Sequence, residues 1–350
     1  MNTEQQIAEQ VGAAIETGST LNIRGGNSKT FYGNPVTGET LDVSDHNGII
    51  EYDPGELVLT CRAGSRLSEI RGALADSGQH FPFEPPGFGE NATVGGTIAC
   101  GFSGPARPWR GSLRDYLLGV KMVNGAGEVV QFGGQVMKNV AGYDMSRLIA
   151  GSMGTLGVLL EASFKVLPKP ASEQTLVFGC SQEEGIAWVN RWSGQPLPLS
   201  GSFWHEGLLH LRLSGARSEV EQAVTRLDSG KPLEETACWS DLREHRLPFF
   251  ENPGNLWRLS LPSATAPLDL AGDCLVDWGG AQRWYLTDQP AEVIREIARL
   301  AGGHATLFRG DDAAGTFQPL PAALQQIQQR IKRALDPHGV FNPGRMYRGG

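Results

Sequence analysis

Residues 84–115 read EPPGFGENATVGGTIACGFSGPARPWRGSLRD. Seven glycines fall within this stretch, and most of its other positions are small, hydroxylated or basic. No amphipathic period runs through it, which argues against an ordinary core helix or strand. A long, weakly patterned segment inside a compact domain is either functional or disordered. Disorder fits badly, because Phe88, Val94, Ile98, Phe102 and Trp109 are spread along it. The expectation is a backbone surface shaped to lie against a large, flat, anionic ligand. Near its centre, Gly95 and Gly96 let a ligand approach the backbone closely, with Thr93, Thr97 and Ser103 as hydrogen-bonding hydroxyls.

Upstream, Arg24-Gly25-Gly26-Asn27-Ser28-Lys29 follows a short expected strand, 20–24. Successive glycines allow positive φ, so several N–H groups can converge on one anion, and Ser28, Arg24 and Lys29 add a hydroxyl and two cations. A pyrophosphate suits such a nest. Ser28-Lys29-Thr30 is not a nucleoside-triphosphate loop, because that motif needs Gly directly before Lys. Gly87-x-Gly89-x-x-Ala92 formally matches a dinucleotide fingerprint but follows Pro85-Pro86, where a strand-to-helix turn is implausible.

The rest of the chain bounds the answer. Its 350 residues, 40% hydrophobic, suffice for two domains with room for a third. A net charge of −8 without a Lys/Arg block argues against charge-driven binding to nucleic acid or membranes. The N-terminus has no basic and apolar regions of a secretory signal, and no window reaches a membrane span. Cys61, Cys100, Cys180, Cys238 and Cys274 are dispersed and odd in number, so reduced, mostly buried thiols in a cytoplasmic protein are expected. His205 and His210 are placed on opposite faces of one strand, and no metal site is expected.

In order, the pattern predicts a helix over 3–17, strands over 20–24, 41–43, 48–52 and 57–62, and a helix over 65–77 capped by Ser65. A hairpin over 120–132 and a short helix over 145–150 follow the glycine-rich stretch. Residues 158–167 alternate, with Glu161, Ser163 and Lys165 on one face and Ala162, Phe164 and Val166 on the other. Pro168-Lys169-Pro170 marks a boundary. Beyond it, helices are predicted over 182–192, 219–227, 291–300 and 322–335, and strands over 201–204, 208–213, 257–261, 275–278, 283–286 and 305–308. The fold class is α+β, with domains at 1–169 and 170–350.

RGGNSK, EPPGFGENATVGG, GPARPWRGSLRD, QVMKNVAGYDMSRL, GSMGTLGV, LPFF, GGHAT and DPHGVFNPGRMY occur in this order along nearly the whole chain. Together they resemble the vanillyl-alcohol oxidase/PCMH-type FAD-binding superfamily, and within it the FAD-binding subunits of bacterial glycolate oxidases. The resemblance implies a two-subdomain domain clasping FAD, a smaller α+β domain, and a tail returning to the flavin. It implies that Arg24, Gly25, Gly26, Asn27, Ser28 and Lys29 hold the pyrophosphate. Thr93, Gly95, Gly96, Thr97, Ile98, Ser103 and Gly104 would line the pyrophosphate and ring system. Gly111, Ser112 and Asp115 match a segment closing over the ribityl chain and flavin, Gly154 and Val158 one near the adenine, and Arg345 a cation facing the flavin. Some relatives bind FAD covalently through a histidine in the first loop. None stands between Arg24 and Lys29, so non-covalent FAD is expected.

Self-sufficient 2-hydroxy-acid dehydrogenases of this family use a histidine pair with a carboxylate, and no H-x₆-H segment occurs in the second domain. The resemblance therefore implies a subunit of a glycolate oxidase complex, active on glycolate or D-lactate with a related flavin subunit and an iron–sulfur subunit. Such a chain is cytoplasmic, with membrane association only through its partners. An independent flavin oxidoreductase and a non-catalytic electron-relay subunit are the alternatives. Lys138 and Tyr143 are the candidate active-site groups.

Overall fold

The computed structural model describes residues 3–134, 144–234, 236–310 and 315–347. The alternating run forms strand Val158–Lys165, central in a five-stranded antiparallel sheet. Its order is Ile49–Asp53, Val58–Arg62, Val158–Lys165, Leu117–Val123, Val129–Gly133. Ala162 and Phe164 turn inward and join Leu67, Ile70 and Leu74 of helix Leu67–Asp76 in one core.

A second, smaller core ties both chain ends together. Helix Thr3–Thr17 buries Ile7, Val11 and Ala14 against Leu21, Leu41, Val158 and the tail residues Val340 and Phe341. Phe341 is fully buried and bridges to Leu21; burying such a side chain is worth about 1.5–3 kcal/mol. Asp336, also buried, fixes the tail's turn by accepting from the amides of Val340 (3.0 Å) and Phe341 (2.9 Å) and from Lys332 Nζ (2.5 Å).

Residues from 172 onward build an eight-stranded antiparallel sheet. Helices Gln182–Ser193, Arg217–Arg226 and Ala291–Leu300 contribute buried Val189, Val220 and Ile294 to its cores. A third group of its buried residues, including Phe203, Trp239, Phe250, Trp284 and Phe308, packs against Tyr32, Phe102 and Met153 of the first half.

Several expectations need correction. Residues 84–115 are not one irregular loop. They contain helices Val94–Cys100, Arg107–Arg110 and Leu113–Tyr116. Thr93 caps the first, its Oγ1 accepting from Gly96 N, and Gly101 ends it in a left-handed conformation (φ 65°). Val94 and Ile98, four apart, supply its buried face, which the intervening glycines conceal from a periodicity reading. Ser65 caps no helix, because its Oγ accepts from Gly48 N and donates to Gly48 O. His205 and His210 lie on two strands of a hairpin, Leu199–His205 and Leu208–Gly215, since Glu206-Gly207 turns the chain at φ 47° and 80°. Strands Ser172–Gly179 and Lys231–Leu233 and helices Ala237–Glu244 and Pro248–Glu251 carry too short or irregular a pattern to be anticipated.

Candidate functional site

A cleft of about 320 Å³ opens between the Arg24–Lys29 loop, helix Val94–Cys100, the 152–157 turn and the C-terminal tail. The first loop owes its path to close approach. A Cβ on Gly25 would meet Thr93 Oγ1 at 2.5 Å, and one on Gly26 would collide with the Asn91 carbonyl. The left-handed turn falls on Asn27 (φ 56°), not on the glycines, which correct the expected division of labour. Among the described residues, the amides of Gly25, Gly26, Asn27, Ser28 and Lys29 have no hydrogen-bond acceptor. Consecutive free amides on a cleft wall are an anion nest.

The second glycine segment contributes shape instead. Val94 N and Gly95 N donate to the carbonyls of Ser65 (2.9 Å) and Ala63 (2.7 Å), and Gly96 N to Thr93 Oγ1 (3.2 Å). A Cβ on Gly95 would press on Ala63 at 3.0 Å, so this glycine seats the helix on the end of the interior strand Val58–Arg62.

The cleft wall carries Arg24, Lys29 and Arg345 and, among the described residues, no Asp or Glu. In a chain of net charge −8 that segregation selects an anionic ligand. Lys29 is buried, with Nζ donating to Gly87 O (3.1 Å) and Ser28 Oγ (3.2 Å). Burial lowers its pKa, opposed by Cys100 and Glu244. Arg345 donates to Asn34 O at 3.0 Å and reaches the carbonyls of Thr30 and Lys29 at 3.4 and 3.5 Å, bracing the end of the nest loop.

Of the sequence-derived candidates, Arg24, Gly25, Gly26, Asn27, Ser28, Lys29, Thr93, Gly95, Gly96, Gly154 and Arg345 line this one cleft. The others stand elsewhere. The Thr97 hydroxyl donates to Thr93 O (2.9 Å), and Ile98 is fully buried in the core. Ser103 Oγ accepts from Leu113 N (3.1 Å), and Gly104 O from Trp278 Nε1 (3.0 Å). Gly111 turns the chain at φ 93° into a helix where Ser112 and Asp115 form a capping box. Val158 belongs to the core under the N-terminal helix. Lys138 and Tyr143 lie outside the described residues.

The sequence reading missed Cys100, Met153 and Asn342, which also line the cleft. Asn342 is buried at φ 40°; its Oδ1 accepts from Ile23 N and its Nδ2 donates to Met153 O, both at 2.8 Å. It thus clips the nest strand to the 152–157 turn. An Asn before Pro-Gly was the available signal, since Asn tolerates left-handed backbone.

The flanks of the 84–115 stretch do something different from its centre. Glu84 pairs with buried Arg212 of the second sheet at 2.8 Å, and Glu244 accepts from the amides of Gly87 (2.8 Å) and Phe88 (2.9 Å). Between these ties, aromatic rings fill the seam. Tyr32 lies 4.8 Å from Phe102, Phe102 5.5 Å from Phe308, Trp284 4.9 Å from Phe308, and His245 stacks on Phe250 at 3.9 Å. Burial first, then Arg309 and Arg258, holds the His245 imidazole well below its ordinary pKa, hence neutral. The seam retains a cavity of about 30 Å³, room for about one water. Away from the cleft, Glu4, His46 and Glu161 approach one another as metal ligands might, but Lys121 Nζ already serves the two carboxylates at 2.7 and 3.4 Å.

Comparison with known proteins places these features in context. An FAD binding domain family matches residues 1–133. The glycolate oxidase subunit GlcE of Escherichia coli (strain K12) is 51% identical over 345 residues, covering 98% of this chain and 97% of that protein. The glycolate oxidase subunit GlcD of Bacillus subtilis (strain 168) is 34% identical over 164 residues, 47% of this chain but 33% of that longer protein. The solved structure of an alkyldihydroxyacetonephosphate synthase superimposes with a TM-score of 0.68 at 15% identity, over 98% of this chain and 75% of that one, a likeness of fold alone.

Proposed function

The chain belongs to the family of the glycolate oxidase subunit GlcE, and from that premise we propose that it is the FAD-binding subunit of a complex oxidising glycolate to the 2-oxo acid. D-lactate is a second candidate substrate. The chain is an FAD-dependent oxidoreductase of the CH–OH class and works within a multisubunit enzyme. We take its partners to be a related flavin subunit, which carries the substrate site, and an iron–sulfur subunit. Residues 1–169 are taken as the FAD-binding domain and 170–350 as the second domain, a division supported by one sheet ending at Lys165 and the other beginning at Ser172. No described helix is long and apolar enough to cross a membrane, so we assign any membrane association to the partners.

The observation that carries this reading is the run of free amides from Gly25 to Lys29 on a cleft wall with three cations and no described carboxylate. FAD, when bound, supplies the acceptor for a hydride and the store from which electrons leave. The chain's own residues hold and orient it. The nest amides take the pyrophosphate, Asn342 keeps the nest in register with the 152–157 turn, and Arg345 sets a fixed positive charge beside the cleft.

The aromatic seam favours a flavin that hands electrons on over one that meets substrate. Among the described residues, the cavity between the two sheets is about 30 Å³, less than a hydroxy acid needs, and His245 beside it is neutral and enclosed by rings.

The experiment is anaerobic addition of glycolate or D-lactate to the flavin-loaded chain alone and to the co-expressed complex. Bleaching of the flavin absorbance only in the complex is expected. Rapid bleaching of the isolated chain would replace this reading with self-sufficiency, and a chain that cannot be loaded with FAD would end it.

A further inference from the structure

Glu4 stands in the first turn of helix Thr3–Thr17, His46 in the turn after strand Glu39–Asp42, and Glu161 in the central strand Val158–Lys165. Positions so far apart form no sequence motif, but the fold gathers them. A ring nitrogen of His46 and one carboxylate oxygen from each glutamate lie within 4.8 Å of one another. His46 is only 3% exposed, and among the described residues its Nε2 is buried without a hydrogen-bond partner. The backbone fixes this residue, since His46 N donates to Val43 O (3.1 Å) and Gly64 N to His46 O (2.9 Å). A buried polar atom left unpaired is costly, so a histidine held rigidly in that state beside two carboxylates calls for a ligand.

We propose that Glu4, His46 and Glu161 bind one divalent transition-metal ion of the Zn²⁺ type, which fastens the N-terminal helix to the five-stranded sheet. The donors select the ion. An imidazole nitrogen beside two carboxylates suits Zn²⁺, whereas Mg²⁺ and Ca²⁺ take oxygen ligands. At metal–ligand distances of about 2.0–2.2 Å, tetrahedral donors stand about 3.4 Å apart, so the three groups need to close by little more than about 1 Å. The glutamate side chains are only partly buried and have room to rotate that far. Three protein ligands leave a fourth position for water.

Lys121 is the counter-ion that the metal displaces. Its Nζ lies 2.7 Å from Glu4 and 3.4 Å from Glu161, which it faces across the sheet, and it leaves His46 Nε2 unpaired. The lysine side chain is 25% exposed, so its ammonium can swing into water, where it is well solvated. Ion pairs this exposed contribute little stability, and losing them costs little. Arg62, paired across the strands with Glu161, is turned to Asn47 O (3.1 Å) instead. None of the three ligands lines the flavin cleft, so the inference stands apart from the functional reading above.

The test is titration of the chelator-treated full chain with Zn²⁺ by calorimetry and with Co²⁺ by visible absorbance. One equivalent of each is expected to bind, and Zn²⁺ should raise the melting temperature. The Co²⁺ spectrum should lack the thiolate-to-metal band that ligation by the five free cysteines would give. His46→Ala and Glu161→Gln should each weaken Zn²⁺ binding at least tenfold. Lys121→Met should strengthen it severalfold, because the competing ammonium is gone. An excess of Ca²⁺ should not displace Zn²⁺. No binding at all would overturn the inference. So would binding that survives His46→Ala, a thiolate band, displacement by Ca²⁺, or affinity unchanged or reduced in Lys121→Met. Circular dichroism of each metal-free variant should match the parent's. Should His46→Ala fail to fold, Glu161→Gln and Lys121→Met decide, since they predict opposite shifts at one site.

Discussion

Single atoms decide the shape of the nest. The absent Cβ of Gly26 is what lets the loop lie against the Asn91 carbonyl, and Asn27 then turns the chain within the run of free amides that lines the cleft. Gly26→Ala should therefore push the loop away from the 91–93 segment. Overpacking of this kind costs about 1–3 kcal/mol, and misaligned amides should weaken FAD binding by about tenfold or more, ~1.4 kcal/mol. Flavin absorbance per chain after gel filtration reads this directly. Gly12→Ala is the control: a Cβ there meets nothing within 4 Å in the middle of the N-terminal helix, so it should raise stability by about 0.5–1 kcal/mol and leave flavin content unchanged. At this scale much was legible, because glycine pairs beside cations announce an anion. Which glycines turn the chain and which merely permit contact was not, since that depends on what lies opposite.

Helix Ala237–Glu244 escaped the sequence reading, yet its last residue joins the halves. Desolvation pushes the Glu244 carboxyl up, but the Phe88 amide, Arg243, Arg71 and the Gly87 amide together hold it below the ordinary value of 4.5. A carboxylate stabilised this way contributes fully above that ordinary value, and the contribution is lost as pH falls through the depressed folded value. Glu244→Gln should thus cost about 1–3 kcal/mol at neutral pH. The gap between variant and wild type should narrow as the pH is taken down through the depressed folded value. Melting curves of both proteins across that range check it, and a gap that persists in acid would show a packing effect instead. The helix was hidden because its role is set by partners in the first half, Gly87 and Phe88, and not by its own apolar period.

Across the whole molecule, the cleft is assembled from the N-terminal loop, the helix after Thr93, the 152–157 turn and the tail after Phe341. A ligand gripping all four should couple them. FAD at about 100 times its dissociation constant should add about 2.7 kcal/mol of stability, seen as a higher melting temperature than that of the stripped protein. Acid or heat should release all of the flavin, because the nest offers no histidine for a covalent bond. Yellow colour retained on the denatured chain would refute this, and an unchanged melting temperature would mean that FAD does not span the cleft.

By itself, the sequence determined the chemistry of the ligand and the order of the parts. Glycine pairs, flanking cations and period-two alternation are local properties, readable wherever backbone freedom or side-chain direction depends on near neighbours. Its DPHGVFNPGRMY motif also implied a tail that returns to the cleft, where Asn342 and Arg345 stand. Only the tertiary structure decided how residues 84–115 divide their work. Thr93, Gly95 and Gly96 at the centre line the cleft, while Glu84, Phe88 and Phe102 at the flanks lock the two halves and fill the seam between them. Those contacts join residues more than a hundred positions apart, as in Glu84 with Arg212 and Phe102 with Phe308. No local pattern encodes such pairings, because their free energy comes from burial and charge pairing that exist only once both sheets have formed.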